Sequence, residues 1–178
     1  MKNMLYYTLF FSFALLTVSC AKEKKETETS KTDHAYLIDA DHSSVQWTAY
    51  KTTDKVPVKG TFKEIKILNS QEGKSPSASL QGLQFEIPVS SIFSKDTIRD
   101  GKLNKFFFAV MENTMSLKGE FKLDGDEKGN LALTMNGLTK DLPFAYEMSQ
   151  DTILINASMD LNNWQAQTAL ESLNQACL

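Results

Sequence analysis

The sequence predicts an all-β domain of antiparallel strands, and three observations support this prediction. Apolar and polar residues alternate with a period of two over most of the chain beyond residue 35, as in strands with one buried face. Short turn-forming segments separate the alternating runs, which favours antiparallel neighbours. Of the 178 residues, 42% are hydrophobic, which is enough for one domain with a substantial core.

Seven or eight strands are expected, and a short first strand at 36–38 is included in the larger number. In the run 58–68, the alternation changes phase after Phe62, which indicates a bulge. The alternating apolar positions are Val45, Trp47 and Ala49; Phe62, Ile65 and Ile67; Leu83, Phe85, Ile87 and Val89; Met115, Leu117, Gly119, Phe121 and Leu123; Leu131, Leu133 and Met135; Leu142, Phe144, Tyr146 and Met148; and Ile153, Ile155, Ala157 and Met159.

Residues 90–108 interrupt the alternation. Four cations fall within eleven residues, and three consecutive phenylalanines follow them. Asp96 is a suitable N-cap, so that a short helix is expected to begin there and to cross the rim of the sheet. Lys95, Arg99 and Lys102 then share one face of that helix, while Ile98 and Leu103 are expected to turn inward.

The last residues change from a period of two to a helical period. A C-terminal helix is therefore expected, with Cys177 as a small buried residue. Its predicted apolar face consists of Ala166, Ala169, Leu170, Leu173 and Cys177.

Strands with one apolar face bury it either by closing into a barrel or by packing as two sheets. The inward residues include flexible and aromatic side chains, which suit an interior that adapts to an apolar guest. The same side chains can instead simply fill the core, and this is the interpretation that periodicity alone favours. The residues concerned are Met115, Phe121, Met135, Phe144, Tyr146, Met148 and Met159.

The N-terminus has the features of an export signal. Lys2 precedes an apolar run at 4–18 that is short for a membrane-spanning helix, and Ser19 and Cys20 follow at the expected cleavage point. This segment resembles a bacterial lipoprotein signal in which Cys20 is lipidated; a plain secretory signal is the alternative. We expect a lipid-anchored protein of the bacterial cell envelope, and Ala21, which is not acidic, favours the outer over the inner membrane.

The organisation expected from these features is a signal peptide at 1–19, a disordered charged tether at 20–34 and a folded domain at 35–178. The net charge of −3 argues against nucleic acid as the main partner, because there is no basic excess to displace phosphate counterions. The sequence does not indicate an oligomeric state.

Little supports catalysis. His34 and His42 are the two histidines, and no common nucleophile, phosphate-binding or zinc motif is present. The loop at 124–130 resembles a calcium loop, but Lys128 and Met135 occupy positions that need oxygen donors, so calcium is rejected. We expect neither cofactor nor metal. An enzyme acting on a small hydrophobic substrate through Tyr146 and a carboxylate is a minor alternative.

Several segments together resemble the YceI-like family of secreted bacterial proteins. They are Asp41-His42-Ser43-Ser44 before the Trp47 strand, VKGTF at 58–62, SI to RDGKL at 91–103 followed by Lys105-Phe106-Phe107, and LALTMNGLT at 131–139. The resemblance covers about residues 36–176. Lys102 replaces a histidine usual in the family, and Tyr50-Lys51 stands where a Lys-His pair is common. Family members usually continue through a final strand, so either a truncated chain or a barrel open at one seam is an expectation here.

The resemblance implies a lipocalin-like antiparallel β-barrel of about eight strands, with a short helix at the rim and a C-terminal helix. It also implies binding of an isoprenoid lipid, such as a quinone or a polyprenyl phosphate, in an apolar lumen. Arg99 and Lys102 are candidates for a head-group contact, although a purely structural cap and a filled core remain open. The predicted ligand-binding residues are Trp47, Phe62, Phe85, Ile98, Arg99, Lys102, Leu103, Phe107, Leu117, Phe121, Met135, Phe144, Tyr146 and Met159.

Overall fold

The structure, a computed structural model, describes residues 35–51, 54–125 and 127–177. The predicted signal peptide, the lipidation site at Cys20 and the charged tether lie outside the described residues. None of the helices in the described part has the length and apolar character that crossing a membrane requires.

The described part of the chain is mostly strand, and its helices are short. Its elements, in chain order, are β1 (Val45–Lys51), β2 (Val56–Phe62), β3 (Lys66–Ile67), α1 (Pro76–Leu80), β4 (Gln84–Pro88), β5 (Ile92–Phe93), α2 (Thr97–Phe106), β6 (Ser116–Leu123), β7 (Lys128–Met135), β8 (Leu138–Ser149), β9 (Thr152–Ala157) and α3 (Gln167–Cys177), with 3₁₀ helices at Val89–Ser91, Phe108–Val110 and Leu161–Trp164. The expected first strand at 36–38 is reduced to one isolated pairing, between Tyr36 and Gly73.

The strands form two sheets in which all neighbours are antiparallel. One has the order β1-β2-β5, and the other is a curled half-barrel with the order β3-β4-β6-β7-β8-β9. Within residues 35–51, 54–125 and 127–177, β1 and β9 each pair on one side only, so the described strands do not close the barrel of about eight strands that the family resemblance implies.

The run 58–68 is interrupted after Phe62, where the alternation changes phase, but the additional residues lie on the opposite strand: three residues separate the pairs Phe62–Ile92 and Lys66–Glu86 on this run, and five on its partner. The run divides into β2, in the smaller sheet, and β3, in the larger one. The segment that pairs with this run divides in the same way, into β4 and β5, with the 3₁₀ helix Val89–Ser91 between them. The Lys63 N–H still donates to the Ser91 carbonyl at 2.9 Å, so the kink bends the paired strands without separating them.

The alternation predicted for β4 and β6 is confirmed. On the outer face, Gln84 donates to Glu120 at 3.0 Å, and Lys118 lies 3.7 Å from Glu86. The inner face carries buried apolar residues such as Phe85. Because the outer face of these strands is polar and the inner face is apolar, the core lies inside the curl of the larger sheet.

Aromatic rings lie directly over glycines on this inner face. A Cβ at Gly119 would lie 2.5 Å from the Phe85 ring, and a Cβ at Gly129 would lie 2.5 Å from the Phe144 ring. The missing side chains therefore let the end of each ring approach the neighbouring strand closely.

The helix predicted from Asp96 is confirmed as α2. One carboxylate oxygen of Asp96 accepts from the N–H groups of Ile98 and Arg99, both at 3.0 Å. The prediction that Ile98 turns inward is wrong, because this side chain is 74% exposed while Leu103 packs against the core. Five residues of helix separate the two by about 140° around the axis, so they cannot share a face.

The C-terminal helix is also confirmed, but part of its predicted face is wrong. α3 packs against α2 and the 3₁₀ helix Phe108–Val110. Ala169 is buried and Leu173 half-buried, whereas Leu170 and Cys177 are exposed. Leu170 lies about 100° from Ala169 around the helix axis and is therefore outside the face that packs against α2.

Three methionines predicted to point inward are exposed: Met115, Met148 and Met159. Met115 precedes β6 and Met159 follows β9, so neither belongs to a paired strand. Met148 lies near the tip of the β8–β9 hairpin, opposite Ile153. The alternating sequence pattern therefore extends beyond the residues whose side chains the core buries.

Candidate functional site

A row of aromatic rings forms the floor of the curled sheet. Ring centroids are 5.4 Å apart for Phe85 and Phe121, 5.6 Å for Phe121 and Phe144, and 6.2 Å for Phe144 and Tyr146. The row crosses from β4 through β6 to β8. It provides a continuous apolar surface, with edge-to-face and tilted contacts of the kind that aromatic side chains prefer.

The protein's own side chains cover this inner surface only in part. Inward apolar residues near the middle of the core are buried, but others on the same faces keep part of their surface accessible. The half-covered inner residues are Val45, Trp47, Leu117, Phe121, Leu131, Ile153 and Ile155. Of these, five pack against the core cluster, whereas Ile155 and Ile153 lie opposite Tyr146 and Met148 on the neighbouring strand. Each leaves apolar surface to which a further apolar group can bind.

A second aromatic group closes one end of the interior. Phe108 lies 6.4 Å from Phe62 and 5.1 Å from Phe107, measured between ring centroids. Leu103 of α2 packs against the same core. The predicted lid thus fills the end of the interior with its phenylalanines.

Trp164 is a central residue that the sequence analysis did not select. It is 0% exposed, and its indole N–H donates to the Leu133 carbonyl at 3.0 Å. Asn136 donates to the Trp164 carbonyl at 2.8 Å. A single tryptophan in a polar stretch, NNWQ, was the only available signal.

Trp47 lies on the inner face of β1, opposite Gly60 of β2. A Cβ at Gly60 would lie 2.3 Å from the six-membered ring of the indole, so the glycine is what admits the ring. The indole Nε1 is buried and has no hydrogen-bond partner among the residues that the structure describes.

Arg99, one of the cations of α2, makes its contacts at the start of the helix. Arg99 lies 3.4 Å from the Asp96 carboxylate and donates to the Ser94 carbonyl at 3.4 Å. The hydrogen bond from the Arg99 backbone N–H, and then the Arg99 charge, hold the pKa of Asp96 below its usual range, and Lys102 contributes in the same direction. These contacts favour a cap over a head-group contact for Arg99.

Tyr146 is buried, and its hydroxyl donates to the Gly125 carbonyl at 3.2 Å. That bond uses the phenolic proton to hold the loop between β6 and β7.

Two cavities open at the surface of the domain. One, of about 330 Å³, is lined by Lys128, Pro143, Phe144, Ala145, Asn156, Ala157 and Ser158. The other, of about 270 Å³, is lined by Val110, Met111, Glu112, Asn136, Gln165, Ala166, Thr168 and Ala169. Both are open to solvent, and Phe144 of the aromatic row lines the first.

Of the fourteen predicted ligand-binding residues, the structure brings most to the interior. Those that lie there are Trp47, Phe62, Phe85, Leu103, Phe107, Leu117, Phe121, Met135, Phe144 and Tyr146. Arg99 and Lys102 lie on α2 beside its cap. Ile98 and Met159 are exposed and lie apart from the core.

His42 has a local role in the loop before β1. Its Nδ1 donates to Asp39 at 2.7 Å, which raises the pKa of His42 and lowers that of Asp39. The ion pair therefore exists between these two pKa values and is lost as the pH rises through that of His42. In an NMR titration, we expect a His42 midpoint above about 6.5 that Asp39→Asn returns towards that value; an unchanged midpoint in the variant would contradict the pairing.

The fold and the half-covered interior define a class: a small antiparallel β-domain that curls around an apolar inner surface. The chain matches the model of the YceI-like domain over residues 36–174, and it belongs to this family. A comparison with curated protein sequences gives no significant match.

Solved structures share the fold. A polyisoprenoid binding domain from Saccharophagus degradans, implicated in plant cell wall breakdown, aligns with a TM-score of 0.57 at 16% identity, over 82% of this chain and 90% of its own. The YceI protein of Campylobacter jejuni aligns with a TM-score of 0.50 at 21% identity, over 74% and 84% of the two chains.

Proposed function

We propose that the protein binds an isoprenoid lipid, of the quinone or polyprenyl phosphate type, against the inner surface of its curled sheet. The half-covered inner residues carry this proposal, because they present apolar surface that a flexible hydrocarbon chain would remove from water. Membership of the YceI-like family and the polyisoprenoid-binding structural neighbour support the same ligand class.

A binding role, rather than catalysis, is the activity proposed. We further propose that Cys20 carries a lipid anchor and holds the domain at the cell envelope, with the outer membrane favoured over the inner. An anchored carrier of this kind would sequester the lipid or move it near the membrane.

The energetics set a limit on the ligand. Burying about ten methylene equivalents contributes about 8 kcal/mol, and association costs at least about 4 kcal/mol. Micromolar affinity needs about 8 kcal/mol net. The chain must therefore be long, or a polar contact must add to the burial.

The proposal predicts that the full-length protein binds geranylgeraniol, a long-chain isoprenoid alcohol. Ile155→Asn is expected to weaken this binding at least about ten-fold, because the substitution places an amide on the half-covered inner surface of β9. Titration calorimetry measures the affinity, and mass spectrometry of an organic extract identifies any lipid that copurifies.

Leu154→Asn is the matched control, because Leu154 is the preceding residue of β9, on the opposite face, and is exposed. It should bind as the unsubstituted protein does, and circular dichroism should show that both variants are folded. Equal losses in the two variants, or no binding by the parent protein together with a lipid-free extract, would contradict the proposal.

A second candidate is an interaction module with a filled core. The aromatic row, the phenylalanines behind α2 and the ion pair of Arg99 with Asp96 favour it, because they stabilise the domain without a ligand. The same experiment separates the candidates, since a module with a filled core binds no isoprenoid.

A further inference from the structure

The two tryptophans of the chain differ in one respect that matters for recognition. Trp164 donates its indole N–H to the Leu133 carbonyl at 3.0 Å. The indole Nε1 of Trp47 is equally shielded from solvent, but within residues 35–51, 54–125 and 127–177 it meets no acceptor. Buried polar groups nearly always have a partner, so an orphaned donor at this place requires an explanation.

The position of Trp47 connects this donor to the inner surface. The residue lies on the inner face of β1 and packs against the core cluster, yet its side chain is only half-buried. The absence of a side chain at Gly60 admits the indole, since a Cβ there would lie 2.6 Å from Cε2, the carbon bonded to Nε1. The backbone thus holds the N–H edge of the ring against β2.

The chemistry of the group restricts its partner. An indole N–H is a donor only, so it can pair with a carbonyl, hydroxyl or phosphate oxygen but gains nothing from a hydrocarbon. Because Nε1 has almost no accessible surface, a ligand oxygen reaches it only when the indole edge moves away from β2. A ligand that presents such an oxygen would then satisfy the donor while its chain covers the half-covered inner residues.

We propose that Trp47 is the residue that recognises the polar end of the ligand, and that the protein selects isoprenoids bearing an oxygen acceptor over isoprenoid hydrocarbons. This inference rests on the proposed function. It differs from the head-group contact predicted for Arg99, whose guanidinium already bonds to Asp96 and Ser94.

The test compares geranylgeraniol with the matching hydrocarbon that lacks the hydroxyl group, using the full-length protein. The alcohol is expected to bind about ten-fold more tightly, as one added hydrogen bond to a buried donor allows. Trp47→Phe should remove this difference, because phenylalanine keeps an aromatic ring but has no N–H. A general loss of packing would lower both affinities alike, so the ratio of the two is the readout.

NMR gives a second measurement on the unsubstituted protein, which keeps the test decisive if Trp47→Phe does not fold. The sequence contains two tryptophans, hence two indole N–H resonances. On addition of the alcohol, the Trp47 resonance should move downfield, and the Trp164 resonance, already hydrogen-bonded, should stay near its position.

The possible outcomes distinguish a failure of the proposed role of Trp47 from a failure of the proposed isoprenoid binding. Equal affinities for alcohol and hydrocarbon, or an unmoved Trp47 resonance with the alcohol bound, overturn the role of Trp47 and leave isoprenoid binding intact. If neither compound binds, the proposed function fails and the inference fails with it.

Discussion

Replacing Trp164 with alanine is expected to lower the free energy of unfolding by about 3–5 kcal/mol. The side chain is 0% exposed and belongs to the main core cluster, so its removal leaves a large cavity. The substitution also removes the hydrogen bond to the Leu133 carbonyl. Chemical denaturation, followed by circular dichroism, measures the change.

Ile98→Ala is the control for this substitution. Ile98 is also a large apolar residue, but it is 74% exposed on α2. Its loss is expected to change the free energy of unfolding by less than about 0.5 kcal/mol. A loss below about 1 kcal/mol for Trp164→Ala would mean that the core does not depend on this residue as the structure indicates.

The strands could be predicted from the sequence because their signal is local. One buried and one more solvated face impose a period of two, which β4 shows clearly, with Phe85 and Ile87 buried and their neighbours more accessible. The turn at Asn136-Gly137 is equally local, and both residues have the positive φ, 50° and 69°, that its type requires. The cap of α2 at Asp96 follows from the same kind of short-range chemistry.

The extent of the core could not be predicted in the same way. Met115 alternates correctly with its neighbours, yet it is 82% exposed, because it precedes β6 and belongs to no paired strand. The helix α1 was missed because its five residues contain only one large apolar side chain, Leu80. Both errors arise where tertiary contacts, rather than local pattern, decide burial.

The candidate site was predictable in its residue types but not in its hydrogen bonds. Alternation placed Trp47 and Tyr146 on inner faces, as the structure shows. Only the three-dimensional arrangement reveals that the Tyr146 hydroxyl bonds to Gly125. The sequence likewise left two roles open for Arg99, a structural cap and a head-group contact. Its contact with Asp96 in the structure favours the cap.

The aromatic floor depends on strand glycines, and Gly129→Ala tests this dependence. A Cβ at Gly129 would lie 2.5 Å from the Phe144 ring and 2.6 Å from the Lys122 carbonyl oxygen. The backbone oxygen cannot swing aside as the end of a flexible side chain can, so the strands must shift. Overpacking of this kind is expected to lower the free energy of unfolding by about 1–3 kcal/mol.

Gly101→Ala is the matched control, since it adds the same methyl group within α2. Among the described residues, no atom outside its own stretch of helix lies within 4 Å of the added carbon. Alanine favours a helix over glycine by about 0.5–1 kcal/mol, so this variant should be more stable than the parent. Opposite signs for the two substitutions in denaturant titrations are the expected result. If Gly129→Ala were neutral or stabilising, the packing of Phe144 against β7 would not be the constraint that the geometry implies.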